Sequence, residues 1–174
     1  ESLFVRLGDA GTRAIITQRK DLSRIRKIVP SLPHLEFIIV VDHQKDKGLE
    51  TNEIPFCLDE AAPVENLALY PSSAGSPSVL HYTSGTTCQP KGVKHVHYSI
   101  ISQYLTTKWV LDLQEDDIYW CTADPGWVTG TSYGIIGPWS LGITQCVLDA
   151  GCSAETWYKF IEKHKVSVWY TAPT

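Results

Sequence analysis

An α/β fold built on parallel strands is what this sequence predicts, and three observations carry the prediction. Short β-branched and aromatic runs alternate with amphipathic stretches along most of the chain. The first regular unit reads strand, helix, strand, the order of a βαβ crossover. The final apolar run, Val166-Ser167-Val168-Trp169-Tyr170, again follows a stretch of helix length.

Taken in order, Ala14-Ile15-Ile16-Thr17 is the first strand, and Asp21 is placed to cap a basic helical segment that ends near Ile28. Pro30 and Pro33 then break the chain before the strand Phe37-Ile38-Ile39-Val40-Val41. Residues 42–77 are polar and turn-rich, and are expected to form a surface connection with little regular structure. Alternation resumes in two strands, Ser78-Val79-Leu80-His81-Tyr82-Thr83 and Gly92-Val93-Lys94-His95-Val96-His97. A helix is expected over 98–113, with Ile100, Ile101, Tyr104, Leu105, Trp109 and Val110 at helical spacing as core side chains. A strand at 118–121, a Gly-rich turn, a helix over 131–141 and a strand over 144–148 follow. A helix over 154–164, capped by Ser153, leads to the last strand. There is no internal repeat and no low-complexity tract.

The chain has 174 residues, 43% hydrophobic and 20% charged, the composition of a globular domain or part of one. Nineteen carboxylates against fifteen lysines and arginines give a net charge of -4 with no basic stripe. That argues against nucleic acid or an anionic membrane as partner and for a small molecule. No run approaches the roughly 18 apolar residues of a membrane span, and Glu1-Ser2-Leu3-Phe4-Val5-Arg6 does not open a signal peptide, so a cytoplasmic location is expected. The five cysteines, Cys57, Cys88, Cys121, Cys146 and Cys152, contain no C-x-x-C pair. They encode neither a disulfide framework nor a zinc site and are expected to be reduced and mostly buried. The chain opens on glutamate, has no methionine and stops just after a strand-like run, so it is expected to be cut at both ends.

Two segments carry chemistry. In Tyr82-Thr83-Ser84-Gly85-Thr86-Thr87-Cys88-Gln89-Pro90-Lys91-Gly92, small hydroxyls and glycine let N–H and O–H donors converge on an anion, and a lysine adds positive charge. On composition alone the segment is either a polyphosphate cradle or a flexible surface turn. It is not a Walker A loop: five residues separate Gly85 from Lys91, no glycine precedes the lysine, and a strand rather than a helix follows. The second segment, Thr122-Ala123-Asp124-Pro125-Gly126-Trp127-Val128-Thr129-Gly130, ends a strand. It reads as a packed turn or as a ligand crevice beyond the carboxyl end of a strand, and Asp124 as a turn residue or a functional one. His95 and His97 alternate on one strand but lack a third ligand at suitable spacing, and Asp112, Glu115, Asp116 and Asp117 read as a solvated helix end.

Residues 83–92 resemble the phosphate loop of the adenylate-forming superfamily, Thr-Ser-Gly-Thr-Thr-Gly-x-Pro-Lys-Gly, and match every specified position except Cys88, where the family usually has glycine. With Tyr119-Trp120-Cys121-Thr122-Ala123-Asp124-x-Gly126-Trp127-Val128-Thr129-Gly130, the chain from about Ser78 onward is similar to the acetyl-CoA synthetases of that superfamily. The fold this implies is an internal fragment of the large amino-terminal, AMP-binding domain of the adenylate-forming enzymes. The small carboxyl-terminal domain with the adenylation lysine, the Tyr-x-x-Thr-Glu segment and the Thr-Gly-Asp site are not within it.

The resemblance implies ATP, Mg2+ and coenzyme A as cofactors, and acetate, ATP and coenzyme A as small-molecule partners. By it, Thr83, Ser84, Gly85, Thr86, Thr87 and Lys91 bind the β and γ phosphates. Val128 and Thr129 line the carboxylate pocket, Trp127 sits near the acyl group and the path of the thiol, and no protein nucleophile is needed. The implied parent reaction is acetate activation to acetyl-AMP and transfer to coenzyme A. A ligase for propionate or another short acid and a non-catalytic nucleotide-binding remnant are the alternatives. The 174 residues by themselves are expected to be inactive.

Overall fold

The structure, a computed structural model, describes residues 2–42, 48–57, 68–83 and 89–172. The chain divides into two units, the first made of Glu1–Pro71 and Tyr82–Val93, the second of Ser72–His81 and Lys94–Thr174.

In the first unit, helix α1 (Ser2–Asp9) precedes strand β1 (Ala14–Thr17), helix α2 (Leu22–Arg26), β2 (Phe37–Val40) and β3 (Glu53–Pro55). The strands pair in parallel in the order β1-β2-β3, with Ile15 opposite Ile38 and Ile38 opposite Glu53. Strand β2 alternates as the pleat requires, so Ile38 and Val40 are fully buried and meet Leu22 and Ile25 of α2. Asp21 does not cap α2 with its side chain. The capping role at this end of the helical segment falls instead to Asp42, just past β2, whose Oδ1 accepts from the Arg19 N–H at 2.6 Å. Strand β3 lies within the stretch expected to be irregular. It is three residues long and carries Glu53 and Pro55, too short and too polar for a period-2 signal. Its carboxylate is satisfied: Arg26 Nε donates to Glu53 Oε1 at 2.8 Å and Nη2 to Oε2 at 2.7 Å, and the Glu50 N–H also donates to Oε2.

Strands β4 (Pro77–Thr83) and β5 (Lys91–Val96) pair as a two-stranded sheet, so the hydroxyl-rich segment joins two paired strands as expected.

The second unit continues with α3 (Ser99–Thr106), which runs into a π-helical turn at Thr107–Leu111 and stops at Asp112, whose φ of 50° is left-handed. Next come β6 (Ile118–Cys121), α4 (Val128–Thr131), a second π-helical turn (Ser132–Ile136), α5 (Gly137–Ser140), β7 (Thr144–Cys146), α6 (Ala154–His164) and β8 (Val168–Tyr170). The three strands are parallel in the order β7-β6-β8. The pleat of β6 splits its side chains. Tyr119 packs with Leu113 and Ile143, while Trp120 meets Trp157 and Phe160 of α6 and stacks on Trp169 of β8. Helix α6 is capped as read, with Ser153 Oγ accepting from the Thr156 N–H. Among the described residues no helix is long and apolar enough to cross a membrane.

Three further expectations are corrected. Ile100, Ile101, Trp109 and Val110 are exposed, and Trp109 is 71% so, because α3 turns its small polar face rather than its apolar stripe toward the helical segment that starts at Val128. The described cysteines are not mostly buried: Cys152 is exposed and Cys57, Cys121 and Cys146 are half-buried. Asp117 is not simply solvated, since it accepts from the Gln114 N–H and the Ser167 hydroxyl, both at 2.7 Å, and these bonds hold its carboxyl below the usual range.

Candidate functional site

The segment after β6 is held by its own residues. Thr122 donates through its N–H to the Tyr170 carbonyl and through its hydroxyl to Thr171, tying together the chain leaving β6 and β8. Asp124 Oδ1 accepts from the Gly126 N–H at 2.7 Å, an Asx turn, and the Asp124 carbonyl accepts from the Trp127 N–H. So Asp124 takes the turn role of its two readings. Trp127 is extended, at φ -95° and ψ 150°, and the helix begins at the next residue. Thr131 ties that helix back, its hydroxyl donating to the Pro125 carbonyl at 2.7 Å. Gly130 is buried, and a β-carbon there would overlap the Asp124 carbonyl and lie 2.8 Å from the Ala123 oxygen. Only glycine lets the helix lie this close to the turn.

This arrangement starts α4 with Val128 and Thr129, which enter a cleft of about 260 Å³ in the second unit. Facing them across it are Ser99, Ser102, Gln103 and Thr106 of α3, with His95 of β5 at the margin and Ser132 and Tyr133 beyond Thr129. Two hydrogen bonds cross the cleft, from Gln103 Nε2 to Ser132 Oγ at 3.3 Å and from the Tyr133 hydroxyl to Thr106 Oγ1 at 3.2 Å. Among the described residues no carboxylate lines it, and those that do line it offer hydroxyl, amide and imidazole donors. A second cavity, about 610 Å³, lies beyond the carboxyl ends of β6 and β8 and is lined by Thr122, Ala123, Tyr170 and Thr171. Thr129 borders both. Trp127 is 72% exposed and lines neither.

Of the hydroxyl-rich segment, Thr83 ends β4 and Lys91 opens β5, both exposed, on strands that pair. Ser84, Gly85, Thr86, Thr87 and Cys88 lie outside the described residues. Tyr82 donates its hydroxyl to Asp9 Oδ2 at 2.6 Å, and burial, then that bond, push its ionisation up to about 12. In the second unit His81 is buried with its ring edge-on to His95, centroids 5.4 Å apart; burial first, and His95 second, hold it below the usual imidazole range. His97 is exposed, and among the described residues no three of His, Cys, Asp or Glu cluster as a metal set.

Sequence reading missed the α3 wall of the cleft. The signal was present, because Ser99, Ser102, Gln103 and Thr106 sit at i, i+3, i+4 and i+7, one helical face. The apolar positions of the same helix, Ile100, Ile101, Tyr104, Leu105, Trp109 and Val110, give the more conspicuous periodicity.

The family model for the AMP-binding enzyme matches residues 1–174. The chain belongs to the AMP-binding enzyme family. Its family relatives include an acetyl-coenzyme A synthetase of Bacillus subtilis, 48% identical over 171 residues, which are 97% of this chain and 29% of that protein. Another, from Pyrobaculum aerophilum, is 43% identical over 192 residues, covering 100% of this chain and 29% of the relative. The chain thus spans 29% of the length of these curated relatives. Among solved structures, a Brucella canis acyl-CoA synthetase superposes with a TM-score of 0.81 at 24% identity over 96% of this chain and 30% of its own, a likeness of fold. An anthranilate CoA ligase in complex with anthranoyl-AMP superposes with a TM-score of 0.79 at 27% identity, covering 99% of this chain and 33% of that one.

Proposed function

We propose that the protein carrying this sequence is an acyl-CoA ligase that activates acetate. In the first half-reaction an acetate oxygen attacks the α-phosphorus of Mg-ATP and pyrophosphate leaves, giving acetyl-AMP. In the second the thiol of coenzyme A attacks the acyl carbon and AMP leaves. Both steps need alignment of anions and neutralisation of departing charge rather than a protein nucleophile.

The observation that carries the reading is the pair Val128 and Thr129 at the head of α4, set in a donor-lined cleft with no carboxylate among its described residues. Such a cleft suits a small carboxylate. The B. subtilis and P. aerophilum relatives supply the kind of acid. In this reading Lys91 and the hydroxyls of Thr83, Ser84, Thr86 and Thr87, with Gly85, hold the β and γ phosphates. Thr129, on the border of two cavities, faces both the acid and the incoming thiol. In this reading magnesium enters with ATP as part of the substrate. A cytoplasmic location fits the supply of ATP and coenzyme A.

The test is exchange of labelled pyrophosphate into ATP by the full-length protein, with and without acetate, followed by AMP release on adding coenzyme A. Acetate-dependent exchange is expected. ATP binding with no acid-dependent exchange would instead mean a non-catalytic nucleotide-binding protein.

A further inference from the structure

We infer that Tyr82 and Asp9 are a positioning pair: their hydrogen bond ties the end of β4, from which the phosphate-binding segment departs, to helix α1. The inference rests on the ATP-binding part of the function proposed above.

Strand β4 has its backbone partner in β5, and the two form a sheet of two strands. Such a ribbon is marginal in water unless something else holds it. Among the described residues two side-chain hydrogen bonds leave β4. One, from Ser78 Oγ to the His95 carbonyl at 3.4 Å, stays within the ribbon. The other runs from the Tyr82 hydroxyl to Asp9 Oδ2 at 2.6 Å, across 73 positions of sequence, and reaches another element. Both of its residues belong to the first unit.

The placement of Asp9 is not explained by its own helix. It is the last residue of α1, where the helix dipole disfavours a negative charge. The helix end is closed by other groups: the N–H groups of Ala10, Gly11 and Thr12 donate to the carbonyls of Arg6, Gly8 and Leu7, with Gly11 at a φ of 57°. The Asp9 carboxylate takes no part in that closure and instead accepts a short, charge-assisted bond from Tyr82. The Tyr82 side chain lies on the opposite side of β4 from Thr83, as the pleat requires, so its hydroxyl is committed to Asp9 rather than to a ligand held by Thr83. Its ionisation, pushed up to about 12, leaves it a donor throughout the working range of pH. Thr83 follows Tyr82 directly and Lys91 opens the strand that pairs with β4, so the two described residues assigned to the phosphates share this anchor.

The experiment measures Kd for Mg-ATP, and KM for ATP and for acetate, on the full-length protein and on Tyr82→Phe, Asp9→Ala, Asp9→Asn and the double variant Tyr82→Phe with Asp9→Ala. Tyr82→Phe removes one oxygen and keeps the ring. It and Asp9→Ala should each raise Kd and KM for ATP about fivefold to tenfold, with KM for acetate unchanged. The double variant should be no weaker than the worse single one, because both remove the same bond. Asp9→Asn keeps an acceptor oxygen and should lose less than Asp9→Ala. The sign separates positioning from plain charge: if Asp9 acted only by repelling the phosphates, Asp9→Ala would tighten ATP binding. Tighter binding in Asp9→Ala, ATP constants within roughly twofold in both single variants, or single losses that multiply in the double variant each overturn the inference and leave the function standing. A KM for acetate that rises with that for ATP overturns it too, since it marks a general defect of the fold. If the unaltered protein binds Mg-ATP but exchanges no pyrophosphate, the acetate-activating reading falls and the Kd series still decides the inference. No Mg-ATP binding by the unaltered protein removes the ATP-binding part of the proposed function, and the inference with it.

Discussion

In the first unit the buried carboxylate of Glu53 meets Arg26 twice and the Glu50 N–H once. In the second, Gln103 Oε1, Thr107 Oγ1 and Gln145 Oε1 are buried with no hydrogen-bond partner among the described residues. Both units rest on a three-stranded parallel sheet with a packed core, so the difference is not one of architecture. The first sheet ends in a closed ionic network. The second opens beyond its strand ends into the 610 Å³ cavity, and two parts of its helical layer line the 260 Å³ cleft. Buried polar groups are usually paired, and places where a fold leaves them short of partners tend to be sites rather than scaffold.

That contrast can be broken from either side, and the largest effect is expected in the second unit. Gly130→Ala forces a β-carbon into the Asp124 carbonyl, so the turn or the start of α4 must shift. A stability loss of about 3 kcal/mol in denaturant unfolding and a drop in acetate-dependent exchange of about 100-fold are expected. Unchanged exchange would show that the position of Val128 and Thr129 does not depend on this close approach.

A change in the first unit should separate stability from function. Glu53→Gln weakens the Arg26 network and should lower stability by about 2 kcal/mol while leaving KM for acetate unchanged. The pH dependence follows from the carboxylate. Hydrogen bonding from Arg26, against the opposing effect of burial, holds the Glu53 ionisation below its usual value. A depressed acid contributes its full stabilisation above the unfolded pKa of about 4.3 and loses it as the pH falls through the folded value. The stability gap between the original protein and Glu53→Gln should therefore be constant near neutrality and shrink below about pH 4. A gap that does not change with pH would mean that the charge on Glu53 is not what stabilises the sheet.

The smallest effect is expected at Cys88. The family loop usually carries glycine there, and glycine admits backbone conformations that a β-carbon penalises by about 1 kcal/mol. Cys88→Gly should lower KM for ATP by up to about fivefold with KM for acetate unchanged. An equal change in both constants would place the effect on the fold rather than on the loop.

Local chemistry was legible where one segment contains its own reasons. Ser153 caps α6, β1 and β6 run over the residues read as strands, and the Asp124 turn closes on residues within seven positions of it. Strand β3 was not legible, because its support comes from Arg26, 27 positions away. The burial pattern of α3 was misread for a related reason. Apolar periodicity marks a helix but does not say which face will meet its neighbour, and here the face turned to the cleft is the one bearing Ser99, Ser102, Gln103 and Thr106.

The sequence by itself determined the parallel α/β plan, the strand-flanked run of hydroxyls with Lys91, and the glycine-dependent turn that leads to Val128 and Thr129, since each depends on spacing and backbone preferences within a few residues. Only the tertiary structure decided that Gln103 faces Ser132, that Thr129 borders two cavities, and that Trp109 points outward. Those facts depend on which faces of separate elements meet, and that choice is made by the packing of the whole unit, where close approaches such as Gly137 against Thr107 set how near two helices can come.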